Sequence, residues 1–444
     1  MRIKKQFIYL ILMSAAAFLG IFKVMAYGLI LSPKEMGYFS MAMTITSYGM
    51  LLQFGIMNGL NRELTVRLGA GQKRLAGRLV GEATIALCAV EFAGLIAYYL
   101  FIFYFKFSDA DMKKAFLLAG LTAVSATFAQ IVFLRLRAEQ RVLQFAATQF
   151  YNALSLLIIG FFASRFFSFY GAVFTHIFVN TVIFFIASRK ILSPVGYRRF
   201  KLKNILYLMR IGFPLMAGSV LFNLQLTMDR LFLINAVSPQ TLGIYQIAVW
   251  PLTMGIVLNG IVEQYVGTAL LFKHGQGKPL NEIFKSMVKI SAVIIIFLTV
   301  MWIPSKFFLT YIFDNYLIRY KESLVILPIF YIGAVFTAAN METVINAANR
   351  QMLSFYMHIF VVAICFISYI ILSLNHLPVQ YYAYTNVAGQ ILSFLLLIFV
   401  TYKISRGKPE KVGDKKYQTP IAPMNSLLSG NDGNIENEIK RGTM

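Results

Sequence analysis

Charge is scarce in this chain. Asp, Glu, Lys and Arg together make up 13% of its 444 residues, against 58% hydrophobic ones, whereas a soluble globular domain carries roughly a quarter charged residues. That scarcity excludes a soluble fold and points to an all-α chain that crosses a bilayer many times. Cysteine is scarcer still. Cys88 and Cys365 both fall inside apolar stretches, so neither a disulfide framework nor a cysteine-based metal site follows. His176, His274, His358 and His376 stand far apart without ligand spacing, which leaves no ground for a metal centre. No nucleophile-base pattern and no phosphate-cradling glycine loop is visible, and the reading is a protein without cofactors. The longest loop on the expected outer side, about residues 305–322, spans 18 residues and is rich in aromatics. A membrane polymerase or glycan ligase typically needs a substantial outer loop for its catalytic residues, and this chain reads as a non-enzyme.

Apolar stretches of spanning length number twelve, among them 7–31, 37–60, 143–164, 170–188, 213–236, 242–271 and 323–346. The start of the chain imitates a signal peptide, but its apolar run continues through Leu31 and reads as an uncleaved first helix. A net charge of +23 would suggest nucleic acid in a soluble protein; here its placement sets topology instead. Of the 41 Lys and Arg, 31 lie in the terminal segments and in the alternate loops that share their side, so both termini are expected to be cytoplasmic.

The chain repeats itself. Leu31-Ser32-Pro33-Lys34-Glu35-Met36-Gly37 matches Val237-Ser238-Pro239-Gln240-Thr241-Leu242-Gly243 at an offset of 206, which also takes Ala42 to Ala248 and Gly49 to Gly255. A second match takes Ala138, Leu143 and Phe145 to Ala348, Leu353 and Phe355. Two parallel six-helix halves follow, since an even number of spans starts both halves from one side. The expected division is 1–190 for the first bundle, 191–212 for a basic amphipathic linker on anionic headgroups, 213–402 for the second bundle and 403–444 for a disordered polar tail.

Polar groups inside spans mark the candidate site, because each is costly there and must face protein or a wet cavity. The span after the linker carries Asn223, Gln225, Asp229 and Arg230; these either neutralise partners on other helices or meet a substrate. Lys23 in the first span either snorkels to headgroups or faces the cavity. Arg62 ends the second span with Asn58 one turn before it. Asn259 and Glu263 lie in the eighth, and Asn340, Glu342, Asn346 and Arg350 at the end of the tenth. The offset of 206 relates Lys23 to Asp229, so the two are expected to face each other in one cavity, with Arg230 adding positive charge and Asp229 the mildest of the three to neutralise.

Ile211-Gly212-Phe213-Pro214-Leu215, then Met228-Asp229-Arg230-Leu231, then Leu242-Gly243-Ile244-Tyr245 resembles the motif order of bacterial polysaccharide repeat-unit flippases, the Wzx type, within the MATE-like exporter superfamily. Ser32 to Ser40 and Asn346-Ala347-Ala348-Asn349-Arg350-Gln351 add to the likeness, which covers about residues 1–402. It implies twelve transmembrane helices in two pseudo-symmetric six-helix bundles around a central cavity, and transport of an undecaprenyl-diphosphate-linked oligosaccharide between the leaflets of the bacterial inner membrane by alternating access. Lipids and polysaccharide-assembly proteins are the implied partners, nucleic acid is not, and coupling to protons or sodium stays open. Another exporter of the same fold, for drugs, a peptidoglycan precursor or a teichuronic-type glycan, is the alternative.

Overall fold

The computed structural model describes all residues except 1, 50–52, 70–71, 108, 140, 192–199, 263–265, 267–269, 271–278, 340, 349 and 407–444. Among the described residues every regular element is helical, as an apolar environment requires of any open chain that must satisfy its own backbone. The first half comprises α1 (Arg2–Ile30), α2 (Pro33–Gly49), α3 (Ile56–Gly69), α4 (Lys73–Tyr104), α5 (Ala110–Ala138) and α6 (Val142–Ile191). The second comprises α7 (Leu202–Ala236), α8 (Pro239–Ala248), α9 (Trp250–Val262), α10 (Leu280–Asn315), α11 (Ser323–Ala338), α12 (Glu342–Ala347), α13 (Gln351–Leu374) and α14 (Val379–Arg406).

The polytopic membrane fold is as expected, but among the described residues length and composition alone identify eight spanning helices, or ten if two bent pairs each count as one. The shortfall from twelve has local causes. α6 counts once although it doubles back at Ser168, whose φ of 56° and ψ of −146° lie outside the helical region. Beyond the turn, a Cβ on Gly171 would meet the Ala163 carbonyl oxygen at 2.1 Å, so the two arms touch backbone to backbone. The second expected span is divided between α2 and α3.

Both Ser-Pro turns are capped alike. The Ser32 hydroxyl accepts from the Glu35 N–H at 3.3 Å while Glu35 Oε2 accepts from the Ser32 N–H at 2.7 Å, a capping box with proline at the first helical position. Ser238 accepts from the Thr241 N–H at 3.2 Å. The other Glu35 oxygen accepts from Ser168, and Arg319 and Tyr320 donate to carbonyls at the end of α1. These bonds gather the loops into one tied end of the molecule.

The halves meet there through α2 and α8. A Cβ on Gly37 would lie 1.8 Å from the Pro239 carbonyl oxygen, and one on Gly243 1.8 Å from that of Pro33. Each contact is the image of the other under the 206-residue repeat. Ser40 donates to Gln246 at 2.8 Å, a pair separated by 206 positions, so this bond joins a residue to its own repeat mate and marks the pseudo-two-fold axis.

At the opposite end α7 binds the halves differently. It bends by 43° at Pro214, and its first arm packs on α3 and α4 of the other half. Ile205 and Leu208 are buried with Ile56, Leu60, Leu79 and Leu134. Asn204 donates to Glu82 at 2.6 Å and Tyr207 to Glu63 at 3.1 Å. The end of the expected linker is therefore a helix that buries Ile205 and Leu208 against the other half, while residues 192–199 lie outside the described ones. The last helix runs on to Arg406, and 407–444 of the expected tail are likewise not described.

Candidate functional site

Between the halves lies a cavity of about 790 Å³, within the range of small-molecule sites. α3, α5 and the first arm of α6 form one wall with Asn58, Asn61, Gln130, Arg137 and Gln149. α7, α9 and the α12–α13 region form the other with Ser219, Asn259, Glu342, Ser354 and His358. Phe133 and Phe145 face Phe222 and Phe355 across it. Phe145 and Phe355 are the pair related by the second sequence match, so the repeat sets aromatic rings on opposing walls. A side pocket of about 310 Å³ between α1, α6 and α9 shares Met13 and Gln149 with the cavity and holds Lys23 among Ala16, Ala17 and Gly20.

His358 joins three helices of this wall through hydrogen bonds. His358 Nε2 lies 2.9 Å from Glu342 Oε1, which also accepts from the Ser354 hydroxyl at 3.3 Å. His358 Nδ1 lies 3.1 Å from Gln225 Oε1. The Gln225 amide orientation is set because its nitrogen donates to the Gly389 carbonyl at 3.2 Å, an oxygen that can only accept. Nδ1 must therefore carry a hydrogen. Nε2 faces the second oxygen, that of Glu342, so the imidazole bridges α7 and α12.

The expected site residues separate into three groups. Asn259 and Glu342 line the cavity, and Lys23 lines the adjoining pocket with its Nζ 3.2 Å from His176 Nε2. Lys23 thus meets a histidine, and the expected pairing with Asp229 is absent.

Asp229 and Arg230 line neither space. Asp229 is fully buried, accepting from Tyr245 at 2.6 Å and from the Arg230 N–H at 2.8 Å; the Arg230 guanidinium donates to the Leu226 carbonyl at 2.9 Å. The expected cavity role gives way here because α8 carries Tyr245 directly against this face of α7. Gln225 stands behind the wall, and Asn223 donates to Ser47 of α2 at 3.3 Å. Arg350 is exposed before α13. Glu263, Asn340 and the side chains of Arg62 and Asn346 lie outside the described ones.

His358 and Arg137 were not among the expected residues. His358 has no sequence partner at ligand spacing, and Arg137 reads as one more loop charge on the basic side. Only its position two residues from Glu139, at the end of a long apolar run, could have drawn attention to it.

No protein-family model and no curated protein matches the sequence. Solved structures do, and they define the class of fold first: it is the fold of MATE transporters and of MurJ. The lipid II flippase MurJ in an inward closed conformation superposes with a TM-score of 0.68 at 16% identity over 89% of both chains. An inward-facing multidrug resistance MATE family transporter of the MOP superfamily gives 0.56 at 13% identity, over 90% of this chain and 96% of the other. A eukaryotic MATE transporter gives 0.59 at 14% identity, over 90% and 95%. At these identities the likeness is one of fold.

Proposed function

We propose that this protein is a flippase. It carries an undecaprenyl-diphosphate-linked oligosaccharide repeat unit across the bacterial cytoplasmic membrane by alternating access, for surface polysaccharide assembly. The observation that carries the reading is the cavity itself: each half contributes one wall, and the α2–α8 contact closes the tied end. Rocking of the halves about that axis would move the opening from one end to the other. The reading puts both chain ends at the cytoplasmic, basic end. Arg137 and Lys23 supply cationic contacts for a diphosphate, and the small residues of the side pocket leave a prenyl chain room to remain outside the cavity. A proton or sodium gradient is the energy source in this reading, and the hydrogen-bonded pair of Glu342 and His358 is the place for such coupling.

A second reading, a carrier of a peptidoglycan precursor, is favoured by the likeness to the lipid II flippase. Gene deletion separates the two. The first expects loss of surface polysaccharide and accumulation of a lipid-linked glycan in the cytoplasmic leaflet, reversed by the intact gene. Unchanged surface polysaccharide together with rescue of cells depleted of their lipid II flippase would overturn it in favour of the second.

A further inference from the structure

On the flippase reading above, a diphosphate has to pass through the apolar depth of the membrane, where an uncompensated charge is costly. Arg137 and Lys23 line the connected spaces between the halves, and they stand at different depths. Arg137 is next to last in α5, a helix whose N-cap, Asp109, pairs with Lys34 at the tied end at 3.2 Å. It therefore lies about 40 Å along its helix from that end. Its guanidinium sits 5.6 Å over the Phe145 ring, which clusters with Phe133 and Met13. Lys23 lies further along α1 than Met13, about 15 Å nearer the tied end. Two linked phosphates are too short to span that gap, so they meet the two cations in turn.

Lys23 is held for this work by a neighbour that the cavity description left unused. The second arm of α6 brings His176 Nε2 to 3.2 Å from Lys23 Nζ. An ammonium can only donate, so Nε2 accepts one of its three N–H groups and fixes the head of an otherwise flexible side chain. The other two remain for a ligand in the side pocket, which Lys23 lines. The choice of partner matters: a carboxylate here would cancel the lysine charge, whereas an imidazole that accepts at Nε2 is neutral and leaves it in force. Gln149 lines both spaces, and its amide adds N–H donors between the two cations.

We infer that Lys23 and His176 form a second anion station for the phosphates of the lipid, in which Lys23 binds and His176 is the positioning residue. Arg137 receives the diphosphate at the basic end. The second station holds it nearer the tied end, where the rocking halves release it.

The test uses the full-length protein in lipid nanodiscs and two probes that share one tail, undecaprenyl diphosphate and undecaprenol. The wild type is expected to prefer the diphosphate by about a hundredfold, and the folded Arg137→Ala variant, which keeps the second station, by about tenfold. In that background Lys23→Ala and His176→Leu are each expected to abolish the remaining preference. His176→Gln, whose side-chain oxygen can accept in place of Nε2, is expected to keep it. A histidine that only braces the bundle would alter stability and not the preference. Gly260→Leu fills the side pocket from α9, where among the described residues an added Cβ meets nothing within 4 Å. It is expected to act as Lys23→Ala does without touching the pair, and it carries the test should the variants at 23 or 176 not fold. A preference that vanishes with Arg137→Ala alone, or one that survives His176→Leu or Gly260→Leu in that background, overturns the inference and leaves the flippase reading standing. A wild type that does not prefer the diphosphate overturns both.

Discussion

Asp229 and Glu342 are both carboxylates within apolar helices, yet their surroundings assign them opposite work. Asp229 has no exposure, accepts from the buried Tyr245 hydroxyl and lies 3.7 Å from the half-buried Arg230 guanidinium, so its removal takes the acceptor from one and the counter-charge from the other. Breaking such a pair costs about 3 kcal/mol or more. Asp229→Ala is therefore expected to lower the melting temperature and the yield of folded protein more than Lys23→Ala does, the reverse of what a cavity role implies. A thermal scan in detergent checks it, and equal melting temperatures would return Asp229 to the cavity.

Glu342 lines the open space and is hydrogen-bonded to His358. Glu342→Gln keeps a hydrogen-bonding group there but can no longer take up or release a proton. If the pair couples transport to protons, glycan export by this variant is expected to lose its dependence on the proton gradient while folding is preserved; export by reconstituted vesicles with and without an ionophore measures this.

Among the elements, α7 has the most divided allegiance. Its arm before Pro214 is buried against α3 and α4, while the arm after it carries Gln225 and Asp229 into the second half. Proline cannot donate to the carbonyl four residues earlier and its ring crowds that turn, which accounts for the 43° bend. Such a bend is a natural hinge if the halves rock. Pro214→Ala restores the missing donor opposite Arg210; it is expected to raise the melting temperature while slowing export. Unchanged export with a raised melting temperature would remove α7 from the moving parts. The docking of the first arm depends on Asn204, since Glu82 is 2% exposed. Asn204→Ala is expected to cost about 1–3 kcal/mol, because it withdraws a donor from a buried carboxylate. Chemical denaturation of the purified protein reads this directly.

For the molecule as a whole, alternating access demands that the tied end open. The bond between Ser40 and Gln246 lies on the axis relating the halves, where any opening must separate them. A Ser40→Cys, Gln246→Cys pair in a Cys88→Ser background is expected to crosslink under mild oxidation and to stop export, with recovery on reduction; the remaining Cys365 is buried. Export undiminished by a complete crosslink would mean that the halves do not part at this end.

Apolar runs, charge placement and the 206-residue repeat are properties of residue order, and they determined on their own that the chain is helical, polytopic and built of two related halves. Backbone satisfaction in an apolar medium and the proline-capped turns act within a few residues, so they are visible without a fold. The repeat also relates Phe145 to Phe355, though only the fold shows both lining one cavity. What it could not convey is rotation about each helix axis. The offset that relates Lys23 to Asp229 gives equal depth, yet one side chain turns toward His176 and the side pocket and the other into the packing of α7 on α8. Likewise Gln225, His358 and Glu342 come from three helices separated by well over a hundred residues in part, and no local spacing announces their meeting. Which polar groups line the cavity and which brace the bundle was decided by tertiary packing, because a buried polar group takes whichever partner the neighbouring helix brings within hydrogen-bond reach.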